Sequence, residues 1–540
     1  MSYKKLSFRE EAREKVLRGA TALADAVRVT LGPKSKSVLI RKKWGSPIVC
    51  NDGVTIAKEL VLEDPEEDLG AQMLRQAAEK TGDVVGDGTS TSTLLAHAIL
   101  TEGMRNVVAG TSAIDIKRGL DRGVAVALDE LRRMAQPVRS RKDKAQVASV
   151  SAHNDATIGE LVADAMDRIG DKGVITVEES KSTETQLEVV EGMQFDRGYL
   201  SPYFVTDAAN MEAVLDDPMI LLSDRKISNL NDLIPLLDEL VKTGKPIVFI
   251  AEDVDRDVLA TLVVNQLRGV FRSLAVKAPG FGDRRKAMLQ DIAVLTGAEL
   301  VSEELGTALD KMTVAQLGSA KRVIADKEKT TIVGGGGDKA AIDARIRQIQ
   351  AEIDKTTSDY DREKLDERLA RLSSGVAVIR VGAPSEAEMK SRKEALDDAI
   401  SATRAAVEEG MVPGGGLALL KCIAALAKEE ERAEGDEKTG LKILRRALTA
   451  PTRQIAENSA VDGGVVVARM LDSEGAIGFD AARNEYVDLI EQGIVDPAKV
   501  VRIALENAVS IASVLLLTEA TMTEIEDEQD RARPMAGMEM

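Results

Sequence analysis

Apolar side chains recur at helical spacing over residues 9–29, and the run stops at Leu31-Gly32-Pro33, a sequence that ends helices. A short strand is expected at 37–41. Helical periodicity resumes over 69–109, interrupted at 82–88, and again over 113–134, so this part of the chain reads as a mostly helical unit. Beyond Pro137 the texture changes: Gly173-Val174-Ile175-Thr176-Val177 and Gln186-Leu187-Glu188-Val189-Val190 alternate as strands and mark a boundary. Between 192 and 374, strand-like runs such as Met219-Ile220-Leu221-Leu222 and Ile247-Val248-Phe249-Ile250 alternate with helical ones, the pattern of an α/β insert. Within it Ile342, Ile346, Ile349 and Ile353, then Leu365, Leu369 and Leu372, outline two charged amphipathic helices with a turn near Ser358, expected as a solvent-facing hairpin. After 376–381 long helices return at 385–409, 417–428, 441–458 and 497–517. Helical sequence brackets the insert on both sides, so the economical arrangement is nested: the chain leaves a helical base, builds an outer domain and comes back.

Length and composition narrow the function. A chain of 540 residues is too long for one hydrophobic core and is expected to form two to four domains. With 44% hydrophobic and 30% charged residues it is expected to be globular throughout. Aromatics are only 2%, with Trp44 the single tryptophan, which leaves few platforms for stacking bases or sugars. The net charge of -18 repels a phosphate backbone. Nucleic acid is therefore not an expected partner. Cys50 and Cys422 are the only cysteines and lie far apart, which excludes a disulfide framework or a zinc cluster of the usual spacing and fits a reducing compartment. Met1-Ser2-Tyr3-Lys4-Lys5 leads into charged sequence without an apolar signal core, and no stretch approaches a membrane span, so a cytoplasmic location is expected.

Neither a Walker A pattern nor a G-x-G-x-x-G fingerprint occurs. The densest glycine cluster is Gly86-Asp87-Gly88-Thr89-Ser90-Thr91-Ser92-Thr93, where a tight turn and a row of hydroxyls open an apolar helix. Free amides at a helix start favour anions, and an adjacent carboxylate can hold a divalent cation, so phosphate with magnesium is the natural cargo. The competing reading is that Asp87 and Thr89 merely cap the helix. Three further turns, Thr30-Leu31-Gly32-Pro33, Asn51-Asp52-Gly53 and Pro413-Gly414-Gly415-Gly416, place amides or a carboxylate at element ends. The quartet 334–337 reads as a flexible corner, His97 and His153 as structural, and Asp397 and Asp398 as a solvated mid-helix face.

One anomaly marks the insert. Residues 254–267 carry apolar side chains at 254, 258, 259, 262, 263, 264 and 267, more of a helix surface than one packing stripe needs. Leu233, Ile234, Leu236, Leu237 and Leu240, with Tyr199, Tyr203 and Phe204, offer similar material. Ordinary core accounts for any one of them; as an exposed patch they would form a binding surface.

Taken together these strings resemble the group I (GroEL-type) chaperonins, in order from residue 12 to 524. The most specific segments are 86–93, Lys277-Ala278-Pro279-Gly280-Phe281-Gly282-Asp283-Arg284-Arg285, and Ala405-Ala406-Val407-Glu408-Glu409-Gly410 leading into Gly414-Gly415-Gly416. The resemblance implies a multi-domain α and α/β fold: a mostly helical equatorial domain from 1–135 and 410–524, a small α/β intermediate hinge domain from 136–190 and 376–409, an inserted α/β apical domain at 191–375, and a flexible tail at 525–540. It implies an ATPase in which Asp87 holds Mg2+ beside Gly88, and Thr89, Ser90 and Thr91 with Thr30, Leu31, Gly32 and Pro33 hold phosphates, next to Asn51 and Gly53. Asp52 and Asp398 position the attacking water. Gly414, Gly415, Asp480, Ala481, Ala482 and Asp496 take the nucleoside side, and K+ joins the cofactors. Tyr199, Tyr203, Phe204, Ile234, Leu237, Leu259, Val263 and Val264 would bind unfolded polypeptides and then a GroES-type co-chaperonin lid. The implied assembly is a homo-oligomer of two stacked seven-membered rings, without nucleic acid or membrane, in which Arg197 and Glu386 match a salt bridge between subunits. The chain departs from the family pattern at Asn51 for lysine, Ser90 for threonine, Asp480 for asparagine, and in a tail, 531–540, without long Gly-Gly-Met repeats. Two other readings stay open: a ring-forming scaffold without productive cycling, and a small-molecule phosphotransferase.

Overall fold

The computed structural model describes residues 4–41, 47–152, 154–170, 173–180, 182–208, 210–302, 306–356 and 358–524. Trp44, His153 and the tail at 525–540 lie outside them. The described chain forms two compact units, one from 1–164 with 384–540 and the other from 165–383. The chain leaves the first unit within helix Ala156–Ile169 and returns at Pro384. The architecture is the expected multi-domain α and α/β one, with helices predominating in the first unit and helices mixed with sheets in the second.

In the first unit, helices Arg9–Arg28, Pro65–Val85, Thr89–Val108, Ala113–Met134, Leu417–Arg432, Gly435–Ala447 and Ala498–Leu516 enclose one core that includes the fully buried Leu23, Leu74, Ile99, Leu120, Leu444 and Leu505. The helix expected across 441–458 is two helices, Gly435–Ala447 and Ala450–Asn458. Pro451 explains the break, because it lacks an N–H and its ring clashes with the carbonyl four residues back, so it suits only a first turn. The interruption expected at 82–88 is narrower: helix Pro65–Val85 runs through Gly82 and stops only at the left-handed Gly86. Strand Lys4–Phe8 pairs antiparallel with Ala520–Glu524. The buried carboxylate of Glu66 pins that pair, meeting Lys5 at 2.7 Å, Lys15 at 3.3 Å and the Thr521 hydroxyl at 3.3 Å. Short strands Met411–Pro413 and Val495–Pro497 pair antiparallel, as do Ile477–Asp480 and Glu485–Asp488. The first pairing brings distant chain segments to the site described below, and the second is a local hairpin that carries Asp480 there.

The second unit carries an eight-stranded sheet whose main path is Ser273–Lys277, Ile247–Ala251, Met219–Ser223, Gly318–Ala325, Thr330–Gly335 and Gly192–Phe195. The first three strands are parallel, and Ile247–Ala251 is buried at every residue, as a strand covered on both faces should be. A second sheet places Val376–Val381 between Val174–Glu179 and Gln186–Val190. The hairpin of helices Lys339–Lys355 and Asp359–Ser373 is not simply solvent-facing: Ile342, Ile349, Ile353 and Leu372 are buried in the unit's core. Its charged face is also anchored, because the buried Asp291 pairs with Arg345 at 2.7 Å and Arg368 at 2.8 Å. The quartet 334–337 is not a loose corner either. Strand Thr330–Gly335 extends into it, and the Gly336 and Gly337 amides donate to Ser319 and Leu295 carbonyls at 2.9 Å.

Candidate functional site

Helix Pro65–Val85 ends and helix Thr89–Val108 begins across three residues, with Gly86 at φ +69° and Gly88 at φ +78°. A side chain at either glycine would be strained by that backbone and obstructed: a Cβ on Gly86 falls 2.5 Å from Ser401, and one on Gly88 falls 2.6 Å from Val500. The capping explanation for Asp87 and Thr89 fails here. Gly88 is the N-cap and no side chain caps the helix, so the Thr89, Ser90 and Thr91 amides stay available at the cavity wall. The Asp87 carboxylate instead accepts from the Gly88 amide and, at 2.6 Å, from the Ser151 hydroxyl.

Two neighbouring turns are tied to this one. Ser90 Oγ lies 2.9 Å from Thr30 Oγ1, which itself bonds the Val27 carbonyl at 2.9 Å. Asp52 caps helix Gly53–Glu59, accepting from Val54 at 3.2 Å and Thr55 at 2.8 Å. Gly53 is so close to Ser90 that a Cβ there would lie 2.4 Å from its Oγ. Asp398 comes from the middle of helix Glu386–Glu409 and faces the same space, not the bulk solvent that mid-helix carboxylates usually meet. Removal from water, then the charges of Asp87 and Asp52, raise its proton affinity well above the ordinary carboxylate range. Asp496, held opposite Val412 in a strand pair, is pushed up to about 7 by burial and then by Asp87. Asp480 accepts from the Ala482 amide at 2.8 Å and the Arg483 amide at 3.3 Å, which fixes the turn carrying Ala481 and Ala482.

These elements enclose a cavity of about 450 Å³. Thr30, Leu31, Gly32, Pro33, Asn51, Asp52, Gly53, Asp87, Gly88, Thr89, Ser90, Thr91, Asp398, Gly415, Asp480, Ala481, Ala482 and Asp496 all line it. Gly414 does not; its amide donates to the Ile494 carbonyl at 3.0 Å and so supports the turn from behind. Sequence reasoning missed Ser151, Glu394 and Phe479 in the wall. Glu394 had a signal, being one helical turn before Asp398 on the same face. Nothing in the sequence around Ser151 pointed to Asp87. Among the described residues no group of three or more His, Cys, Asp or Glu side chains could hold a metal unaided. The Asp87 carboxylate beside hydroxyls and helix-start amides suits magnesium, which takes one or two carboxylates and completes its shell with waters and substrate phosphates.

The sequence matches the TCP-1/cpn60 chaperonin family over residues 23–526. It is also 71% identical over 534 residues to Chaperonin GroEL 5 of Bradyrhizobium diazoefficiens, covering 99% of each chain. The chain belongs to the TCP-1/cpn60 chaperonin family. Membership brings a chaperone role in protein folding, with nucleotide use, polypeptide substrates and an oligomeric ring. No helix among the described residues is long and apolar enough to cross a membrane.

The chaperonin's second unit carries the other candidate surface, on helices Ile234–Thr243 and Arg256–Leu267 and the neighbouring Pro202–Phe204 turn. Tyr203, Ile234 and Val264 are exposed, at 65%, 43% and 42%. Tyr199, Leu259 and Val263 are half-buried against the core. Phe204 and Leu237 depart from expectation: both are buried, Phe204 completely, because they point into the core from elements whose opposite faces are wet. Leu267, already part of the wide apolar face read at 254–267, is exposed at 67%, and Val270 and Phe281, which were not proposed for binding, are exposed at 52% and 75%. Away from both surfaces, His97 bonds Thr21 at 3.0 Å and burial pushes it down to about 4, in keeping with a structural role. Cys50 and Cys422 are buried and free.

Proposed function

We propose that this chaperonin hydrolyses ATP in the cavity of its first unit and uses the cycle to bind, enclose and release non-native polypeptides. One observation supports this most: Gly414 aside, every position assigned to the nucleotide lines a single cavity, although the positions run from residue 30 to residue 496. The amides and hydroxyls of Thr89, Ser90 and Thr91, with the 30–33 loop and the neighbouring Asn51 and Gly53, take the phosphate oxygens, because a helix N-terminus concentrates positive partial charge. Gly415, Asp480, Ala481, Ala482 and Asp496 receive the nucleoside. Asp87 holds the magnesium ion, which when bound offsets phosphate charge; K+ belongs to the same proposal by family resemblance. Asp52 and Asp398 orient the attacking water, and the raised proton affinity of Asp398 suits it to accept the water's proton.

In this reading 1–135 with 410–524 form the equatorial domain, 136–190 with 376–409 the hinge, and 191–375 the apical domain. Hinge movement governs the approach of Asp398 to the nucleotide. Exposed apical side chains capture unfolded chains, and a co-chaperonin lid then competes for the same surface. Two seven-membered rings stack in the cytoplasm, with Arg197 and Glu386 pairing between subunits. The test is steady-state ATP hydrolysis by the protein and by Asp398→Ala, with particle mass measured on the same samples. A ring whose hydrolysis collapses in the variant while ATP still binds is the expected result. A ring that hydrolyses nothing would move the scaffold reading ahead, with Asn51 and Asp480 the first residues to revert.

A further inference from the structure

Helix Ala450–Asn458 touches both ends of the cavity. At its start the Thr452 hydroxyl donates to the Gly415 carbonyl at 3.1 Å, and Pro451 lines the wall. In its middle Ile455 lines the wall and packs on Gly32, where a Cβ would lie 3.2 Å from Ile455 Cγ2. At its end the Asn458 amide nitrogen donates to two carbonyls, Arg28 at 2.9 Å and Leu31 at 2.8 Å. The Asn458 amide oxygen is in turn held by Gln454 Nε2 at 2.9 Å, one turn back on the same helix. Arg28 ends helix Arg9–Arg28, and its carbonyl also accepts from the Leu31 amide at 3.4 Å.

This arrangement fixes a distance. The six residue steps from Thr452 to Asn458 rise about 9 Å along a helix, and hydrogen bonds attach one end to the Gly415 turn and the other to the 28–31 backbone. Only asparagine supplies two amide donors at this reach: aspartate has none, and glutamine places them one carbon further out. We propose that Asn458 is a positioning residue for the phosphate-side loop, and that helix Ala450–Asn458 is the spacer that sets the separation between that loop and the Gly415 turn, across which the nucleotide lies. The inference rests on the nucleotide reading above and adds to it a group that touches no nucleotide itself.

The experiment measures ADP affinity, the KM and kcat for ATP, thermal midpoint and particle mass on the assembled protein and on Asn458→Ala, Asn458→Asp and Gln454→Ala. Asn458→Asp keeps the shape and the Gln454 bond but removes both donors. ADP affinity and KM are expected to worsen about tenfold in both Asn458 variants and about threefold in Gln454→Ala, with kcat within about twofold and ring mass unchanged. A purely structural role would instead lower the thermal midpoint and leave KM alone. ADP affinity of Asn458→Asp within about twofold of the unaltered ring overturns the proposal; if Asn458→Ala does not assemble, the Asn458→Asp and Gln454→Ala affinities decide. Absence of ADP binding in the unaltered ring would instead remove the nucleotide reading itself, and this inference with it.

Discussion

The cavity of the first unit and the apolar surface of the second are built on opposite principles. The cavity is made of backbone and short polar side chains at turns, where Gly86 and Gly88, Asp52 and Thr30 are each held by hydrogen bonds or close approach. The surface is made of side chains alone, on helices whose inner faces build a core and whose outer faces carry apolar side chains such as Ile234 and Val264 among charged ones. Turn chemistry tolerates little variation in residue type, whereas a helix face distinguishes Tyr203 from Phe204 only through the direction in which each points. Turn geometry can thus be read from a short string, and the exposure of a helix face cannot.

The most severe test of that contrast is Asp398→Ala. Hydrolysis is expected to fall by about 10²–10⁴-fold while capture of an unfolded polypeptide persists, measured by turnover and by aggregation suppression. Phe204→Ala is next: a wholly buried ring is lost, and the second unit should lose about 3–5 kcal/mol in denaturant unfolding. Its neighbour Tyr203 is mostly exposed, so Tyr203→Ser should leave unfolding nearly unchanged. The Ile234→Ser, Val264→Ser pair should weaken polypeptide capture by about tenfold in a binding assay, with ATP turnover intact. Loss of turnover instead would blur the division between the two surfaces.

The smallest effect expected is a pH dependence. In the folded chain burial and then Asp87 push Asp496 up to about 7, above the ordinary aspartate value of about 3.9. The folded state therefore binds more protons than the unfolded one between those values, and stability falls as pH rises through that window. Asp496→Asn should flatten the slope, changing the difference in thermal midpoint between pH 5 and pH 8 by roughly 2–4 °C.

Much of the fold was legible. The helix Ala113–Met134 and the strands at 174–179, 186–190, 219–223 and 247–251 lie where periodicity put them. The errors share a cause. Pro451 split a helix whose apolar period continued across it, and Gly336 and Gly337, which look loose in a string, are stitched to Ser319 and Leu295 by partners distant in sequence.

The sequence by itself determined which residues could do chemistry: glycines, hydroxyls and carboxylates at element ends declare their use, because turn geometry and helix-end amides are local properties. Only the tertiary structure decided which of them meet. Asp398 faces a cavity instead of solvent because its helix packs beside the segment carrying Asp496, Ser151 reaches Asp87 across 64 positions of chain, and Asn458 holds the loop at Leu31 from 427 positions away. Hydrogen bonds and burial depend on neighbours in space, and no local pattern of residues records those neighbours.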